Sequence, residues 1–249
     1  MLENALRNLQ DTGVELGNNE KLCDLDYADD LVCLFECTEH AQSALDRLAK
    51  AVAPFGVRFA PSKCKVMLQD WMSTIPSLMF DGEVLAIVDP FTYLGSSLTT
   101  NGSKVVEVST RIFKARVPYV GLKHLWRQSD ISRELKGRMY CATVLSVLLC
   151  SCETWGLRAG DIRHFDVFDH RCLRSIARIG WNDRVSDAEV RNRVFGTNSE
   201  NVLSRRIQIS RLRWLGHVLR MANTRLSYHA LFLAPPRERK KLCGGQQMK

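Results

Sequence analysis

The chain has 249 residues, of which 45% are hydrophobic, 8% aromatic and 25% charged, a globular composition that excludes a disordered or collagen-like polymer. Its longest apolar run, residues 142–150, contains Thr143 and Ser146 and falls far short of the about 20 residues a membrane span needs, so no membrane partner is expected. The net charge of +8 conceals an asymmetry: residues 1–100 hold 7 Lys and Arg against 15 Asp and Glu, whereas residues 101–249 hold 28 against 12. Balances of −8 and +16 predict an acidic part with a use for cations, joined to a basic part with the footprint of a polyanion binder. Nine cysteines, with no secretory leader in MLENALRNLQ, predict reduced thiols and an intracellular setting, nucleus or cytoplasm.

The first elements read as α+β. Leu2, Ala5, Leu6 and Leu9 form a short apolar stripe at helical spacing, and the polar residues 11–20, with Gly13 and Gly17, read as a loop. Residues 21–26 and 31–35 are strand candidates, with Tyr27-Ala28-Asp29-Asp30 as a tight turn between them. Thr38 is placed to cap a helix whose buried face is Ala41, Ala44, Leu45, Leu48 and Val52, ended by Pro54 and Gly56. Residues 57–60 read as extended, 61–63 as a turn and 65–68 as a strand. Asp81-Gly82 marks a second hairpin, and residues 91–98 are β-like up to Asn101-Gly102.

Beyond residue 101 the pattern becomes helical. Val105, Val108, Ile112 and Ala115 share a face, with Pro118 set to kink the run. Ser129 or Asp130 would cap a helix burying Ile131, Leu135, Met139, Ala142, Leu145 and Leu149. A third helix, from about Asp161, would bury Ile162, Phe165, Phe168 or Asp169, Cys172 and Ile176. A short helix follows Ser186, and a last one covers about 200–221. The expected organisation is therefore a region 1–100 of β-hairpins with a packed helix, a basic helical region 101–236, and a disordered basic tail 237–249.

Adjacent carboxylates at a hairpin tip suit Mg²⁺, which prefers hard oxygen ligands and takes one or two carboxylates while keeping room for phosphate oxygens. Asp29 and Asp30 are such a pair, flanked by apolar strands, though aspartate also favours turns for local reasons. The string Leu25-Asp26-Tyr27-Ala28-Asp29-Asp30-Leu31-Val32 resembles the catalytic YADD motif of reverse transcriptases. Four further blocks follow in the order found in non-LTR (LINE-like) retrotransposon enzymes: residues 41–65 with Phe55-Gly56-Val57 and Pro61-Ser62-Lys63-Cys64-Lys65, then Phe91-Thr92-Tyr93-Leu94-Gly95-Ser96, then residues 146–155, then residues 211–218.

The resemblance implies a reverse-transcriptase palm followed by a thumb-like region. It implies RNA-directed DNA polymerisation by two-metal nucleotidyl transfer, with an RNA template, a DNA primer and deoxynucleoside triphosphates as partners. Asp29 and Asp30 then take the Mg²⁺-binding roles of the motif. Lys63, with Lys65 as its rival, falls where the family has a lysine near the leaving pyrophosphate. Tyr27 falls beside the metal site, and Tyr93, Leu94 and Gly95 in the hairpin that steadies the primer. The family's third acid, its fingers and its first palm strands have no counterpart here, and Asp24 and Asp26 do not match that acid. An incomplete two-ion site and a polypeptide inactive by itself are therefore expected; the rival reading is a non-catalytic nucleic-acid-binding remnant.

The basic region has its own signal. Arg171, Arg174 and Arg178 are spaced to form one helical ridge, and Arg205, Arg206, Arg211, Arg213 and Arg220 crowd the last helix around Trp214. Guanidinium forks in such rows suit phosphate backbones. Trp126, Trp155 and Trp214 read as core anchors before stacking platforms. Cys150, Cys152, His164, His170 and Cys172 do not follow a zinc-finger spacing, and the cysteines read as ordinary buried thiols.

Overall fold

The computed structural model describes residues 13–17, 20–28, 30–56, 59–69, 71, 74–100, 102, 105–196 and 203–232. The chain divides into two units, one made of residues up to Asp89 together with those from Met221 onward, the other of Pro90–Arg220. The whole is mixed α+β, with small sheets in both units and most of the helix in the second.

In the first unit, β1 (Val14–Gly17) and β2 (Glu20–Leu22) form a bulged antiparallel pair. This corrects the loop expected over residues 11–20. Gly13 explains the misreading: a Cβ there would lie 2.5 Å from the Leu22 carbonyl oxygen, so this glycine serves close backbone approach and not loop freedom. Next, β3 (Asp24–Tyr27) and β4 (Asp30–Cys33) pair antiparallel in the register Asp24 to Cys33 and Tyr27 to Asp30. Helix α1 (Thr38–Val52) buries Ala41, Ala44, Leu48 and Val52, the spacing of one apolar face. Thr38 is its first residue and not its cap; Cys37 holds the cap position without a capping side chain. Gly56, at φ +69, turns the chain away from the helix end.

Leu31, Cys33, Phe35 and Phe59 pack on Ala44 and Leu48, which seats α1 on one face of the β3–β4 hairpin. Ala41 lies in a neighbouring cluster with Leu78, Phe80 and Leu85. β5 (Lys65–Val66) is shorter than the 65–68 expected and pairs parallel with β8 (Ala86–Ile87). Between them β6 (Met79–Phe80) and β7 (Glu83–Val84) form the Asp-Gly hairpin, with Asp81 at φ +50 and Gly82 at φ +82.

The second unit starts with β9 (Phe91–Tyr93) and β10 (Ser96–Leu98), joined by Leu94 at φ +47 and Gly95 at φ +80. Polar bonds fasten this hairpin to α2 (Val105–Gly121). The Ser97 amide donates to Glu107 Oε2 at 2.5 Å, Arg111 Nη2 to Ser96 Oγ at 3.3 Å, and Lys114 Nζ to the Gly95 carbonyl at 3.0 Å. Glu107 and Arg111 are themselves a buried ion pair at 2.7 Å. These bonds hold β9 and β10 against α2 within the second unit, which begins at Pro90.

Helix α3 (Lys123–Arg127) buries Trp126, whose indole N–H donates to the Tyr119 carbonyl at 2.8 Å. Helix α4 (Arg133–Tyr140) is capped by Ser132, whose hydroxyl accepts from the Leu135 amide at 3.2 Å; neither Ser129 nor Asp130 has that role. It runs on through a π-helical turn, Cys141–Leu145, and a last turn, Ser146–Leu148. Its buried face holds Lys136, Tyr140, Val144, Leu145 and Leu148; of the expected face Leu145 is buried, while Leu135 is 41% exposed. The offset has a polar cause: the Lys136 ammonium enters the interior to donate to the Trp126 carbonyl at 3.1 Å and to that of Gln128.

Helices α5 (Ala159–Ala177), α6 (Asp187–Phe195, capped by Ser186) and α7 (Leu203–Val218) complete one core around Trp155, Phe165, Leu173, Ile176, Val190, Val194 and Ile207. Asp169, 1% exposed, lies inside it, accepting from the Tyr140 hydroxyl at 2.8 Å and from the Arg191 guanidinium, so one carboxylate ties α4, α5 and α6. Helix α8 (Leu226–Phe232) belongs to the first unit. No described helix is long and apolar enough to cross a membrane. The stripe at Leu2–Leu9, residues 57–58 and the tail 237–249 lie outside the described residues.

Candidate functional site

Tyr27 opposes Asp30 in the β3–β4 register, so the connection between the strands is two residues, Ala28 and Asp29. Asp30 is therefore the first residue of β4, directly after the turn, and Asp29 lies outside the described residues. Ala28 has φ +56, a left-handed conformation that costs an L-residue about 1–2 kcal/mol. Directly opposed residues of an antiparallel pair share a face. Asp24 with Cys33, and Asp26 with Leu31, thus stand on the α1 side of the hairpin, Asp24 half-buried and Asp26 exposed; Tyr27 and Asp30 stand on the other. That other side is open: Asp30 is exposed and Tyr27 is 65% exposed.

Away from the turn, the α1 side behaves as interior. Burial, with the Asp24 charge second, pushes the Cys33 thiol up to about 11, and burial raises the Cys23 thiol as well. Asp24 and Asp26 consequently do not converge with Asp30. Among the described residues, no three His, Cys, Asp or Glu side chains are grouped to hold a metal ion. Among the described residues, Asp30 is the one carboxylate beside the turn on the open face.

Lys63 is exposed on the 61–63 turn, its amide donating to the Ala60 carbonyl at 2.9 Å, while the Lys65 ammonium is spent on the Ser62 carbonyl at 3.1 Å. Both belong to the first unit. Tyr93, Leu94 and Gly95 belong to the second and do form a hairpin turn, with Leu94 50% exposed.

The arginine ridge is revised. Arg178 does not continue α5: it sits past the helix end at φ +58, donating to the Arg127 carbonyl at 2.6 Å. Arg174 points into the 180–185 loop, where its guanidinium donates to the carbonyls of Gly180, Asp183 (3.0 Å) and Val185 (3.3 Å). Arg171 remains exposed. On α7, Arg211 donates to the Trp155 carbonyl and Arg206 to Cys141 Sγ at 3.5 Å, whereas Arg205 and Arg213 are exposed and Arg220 lies beyond the helix. Spacing alone does not separate these two classes. Around the ends of α3 and α5, unpaired carbonyls lie within reach of Arg174 and Arg178 and compete with solvent for their guanidinium groups.

Trp126 and Trp155 are core residues, and Arg111 lies over the Trp155 ring at 5.3 Å from its centroid. Cys152 and Cys172 are buried, and burial pushes the Cys172 thiol up to about 12. The residue that sequence reasoning missed is Trp181, 91% exposed on the loop between α5 and α6. Its signal was a lone indole in the polar string Gly180-Trp181-Asn182-Asp183.

No family model, curated protein or solved structure matches the chain.

Proposed function

We propose that this polypeptide is a reverse-transcriptase segment of non-LTR retrotransposon type: the β3–β4 turn corresponds to the metal-gripping hairpin of a polymerase palm, and the helical unit is a nucleic-acid-binding body. The observation that carries the reading is the hairpin itself. The connection between Tyr27 and Asp30 is two residues, one face of the hairpin is backed by α1, and on the opposite face Tyr27 and Asp30 are exposed. Five ordered sequence blocks around it and 22 Lys and Arg against 11 Asp and Glu in residues 90–220 support the same reading.

Polymerisation is a matter of positioning and charge stabilisation around the transferring phosphoryl group. Asp24 and Asp26 stand on the face opposite Asp30, and neither matches the family's third acid; both points favour nucleic-acid binding without catalysis as the activity of this chain alone. The test has two arms. Purified protein should bind an RNA–DNA hybrid with an affinity that falls steeply with salt, because phosphate contacts release counterions. It should not extend an oligo-dT primer on poly-rA with Mg²⁺. Absent or salt-insensitive binding overturns the reading; extension abolished by Asp29→Asn overturns the inactivity.

A further inference from the structure

We propose that an open groove on the second unit, with Trp181 as its platform, is a site for single-stranded nucleic acid; the proposal rests on the polyanion-binding reading above. The groove, about 720 Å³, is lined along one side by Arg163, Val167, His170, Arg171 and Arg174 of α5, and on the other by Ile179 and Trp181. Positions 163, 167, 170, 171 and 174 recur at three- and four-residue intervals, so they are one stripe of α5. The helical rise separates Arg163 from Arg171 by about 12 Å along that stripe. Asp166 and Asp187 also line it, and Asp187 is engaged by His170 Nε2 at 3.0 Å.

The loop is built to hold the indole out. Arg174 brackets three of its carbonyls, Asp183 Oδ2 accepts from the Gly180 amide at 2.6 Å, and the Val185 amide donates to the Asp183 carbonyl at 2.8 Å. Trp181 sits inside this bonded frame and is still 91% exposed. A large aromatic normally contributes by being covered. Displayed on a fixed loop beside exposed Arg163 and Arg171, it offers a base a face to stack on and the flanking phosphates their counter-charges. An acidic peptide would use the arginines but leave the ring without its matching surface.

The test measures anisotropy of a fluorescein-labelled single-stranded oligothymidylate with the full chain. Trp181→Ala should weaken binding by roughly 5- to 150-fold, the range for loss of one base–aromatic stack. Trp181→Phe should retain most of the affinity. An abasic strand of equal length should bind wild type and Trp181→Ala alike. Arg163→Gln should weaken both strands and lower the salt slope by about 0.7. If Trp181→Ala binds oligothymidylate as wild type does, or if polyglutamate competes as well as the oligonucleotide, the groove assignment falls while hybrid binding stands. If wild type binds neither single strand nor hybrid, the underlying functional reading falls too.

Discussion

The buried carboxylate of Asp169 offers the sharpest test of how the helical unit holds together. Its oxygens accept from Tyr140 and Arg191 in a site where Asp169 is 1% exposed. Arg191→Met removes the charge partner and keeps the volume and shape of an apolar neighbour. A carboxylate left there without its guanidinium costs about 3–5 kcal/mol, since water cannot reach it to compensate. The unit has about 130 residues, and an unfolding entropy of about 2.1 cal/mol/K per residue makes the melting slope roughly 0.27 kcal/mol per degree. The expected loss is therefore about 11–18 °C in the helical transition, followed by far-UV circular dichroism on the full chain. The triple replacement Tyr140→Phe/Asp169→Leu/Arg191→Met has no charge left to strand and should recover most of that loss. A single variant that melts within about 4 °C of wild type, or a triple variant no better than the single one, would refute the reasoning.

Other outcomes follow from the same packing. The Cys33 and Cys172 thiols are held up at about 11 and about 12, from an ordinary 9.0, so the folded state keeps protons that the unfolded chain releases between those values. Stability should therefore be complete below about pH 9 and decline as pH rises towards 12, a fall that Cys172→Ala should blunt in pH-dependent melting curves. In native protein, iodoacetamide should label exposed Cys150 before buried Cys152 and Cys172, as read by peptide mass spectrometry. Gly137→Ala drives a methyl to 2.8 Å from the Val194 carbonyl oxygen and 2.9 Å from Phe195 Cδ1, and should destabilise the α4–α6 contact by about 1–3 kcal/mol in chemical denaturation.

Much of the fold was legible because local rules and tertiary packing agree. The α1 stripe, the Asp81-Gly82 hairpin and the Ser186 cap are such places. The α4 face was misread because periodicity assigns a lysine to solvent, whereas Lys136 reaches the carbonyls of Trp126 and Gln128, left unpaired around the end of α3. The arginine ridge failed for a related reason: Arg174 and Arg178 sit where a helix ends and backbone acceptors become available. The connection between β3 and β4 was legible as a turn. Which face each neighbouring carboxylate takes was not, because that depends on the two-residue connection and on which side α1 settles.

Three hairpin turns with left-handed residues, β3–β4, β6–β7 and β9–β10, carry a distinction that stability alone does not explain. The β6–β7 turn uses Asp81 and Gly82, residues that tolerate positive φ. The turns of the two blocks that resemble polymerase motifs instead place Ala28 at φ +56 and Leu94 at φ +47. Each such residue costs about 1–2 kcal/mol that asparagine or glycine would largely avoid. Backbone strain of this kind persists where another requirement fixes the residue, and both positions lie in the turns of the blocks that the proposed function links to metal and primer. Leu94→Asn should therefore raise the stability of the helical unit by about 1 kcal/mol, a gain of roughly 4 °C, while weakening hybrid binding. A variant that gains stability and binds as tightly as wild type would mean that the exposed leucine, and with it the primer-facing role of this hairpin, is dispensable.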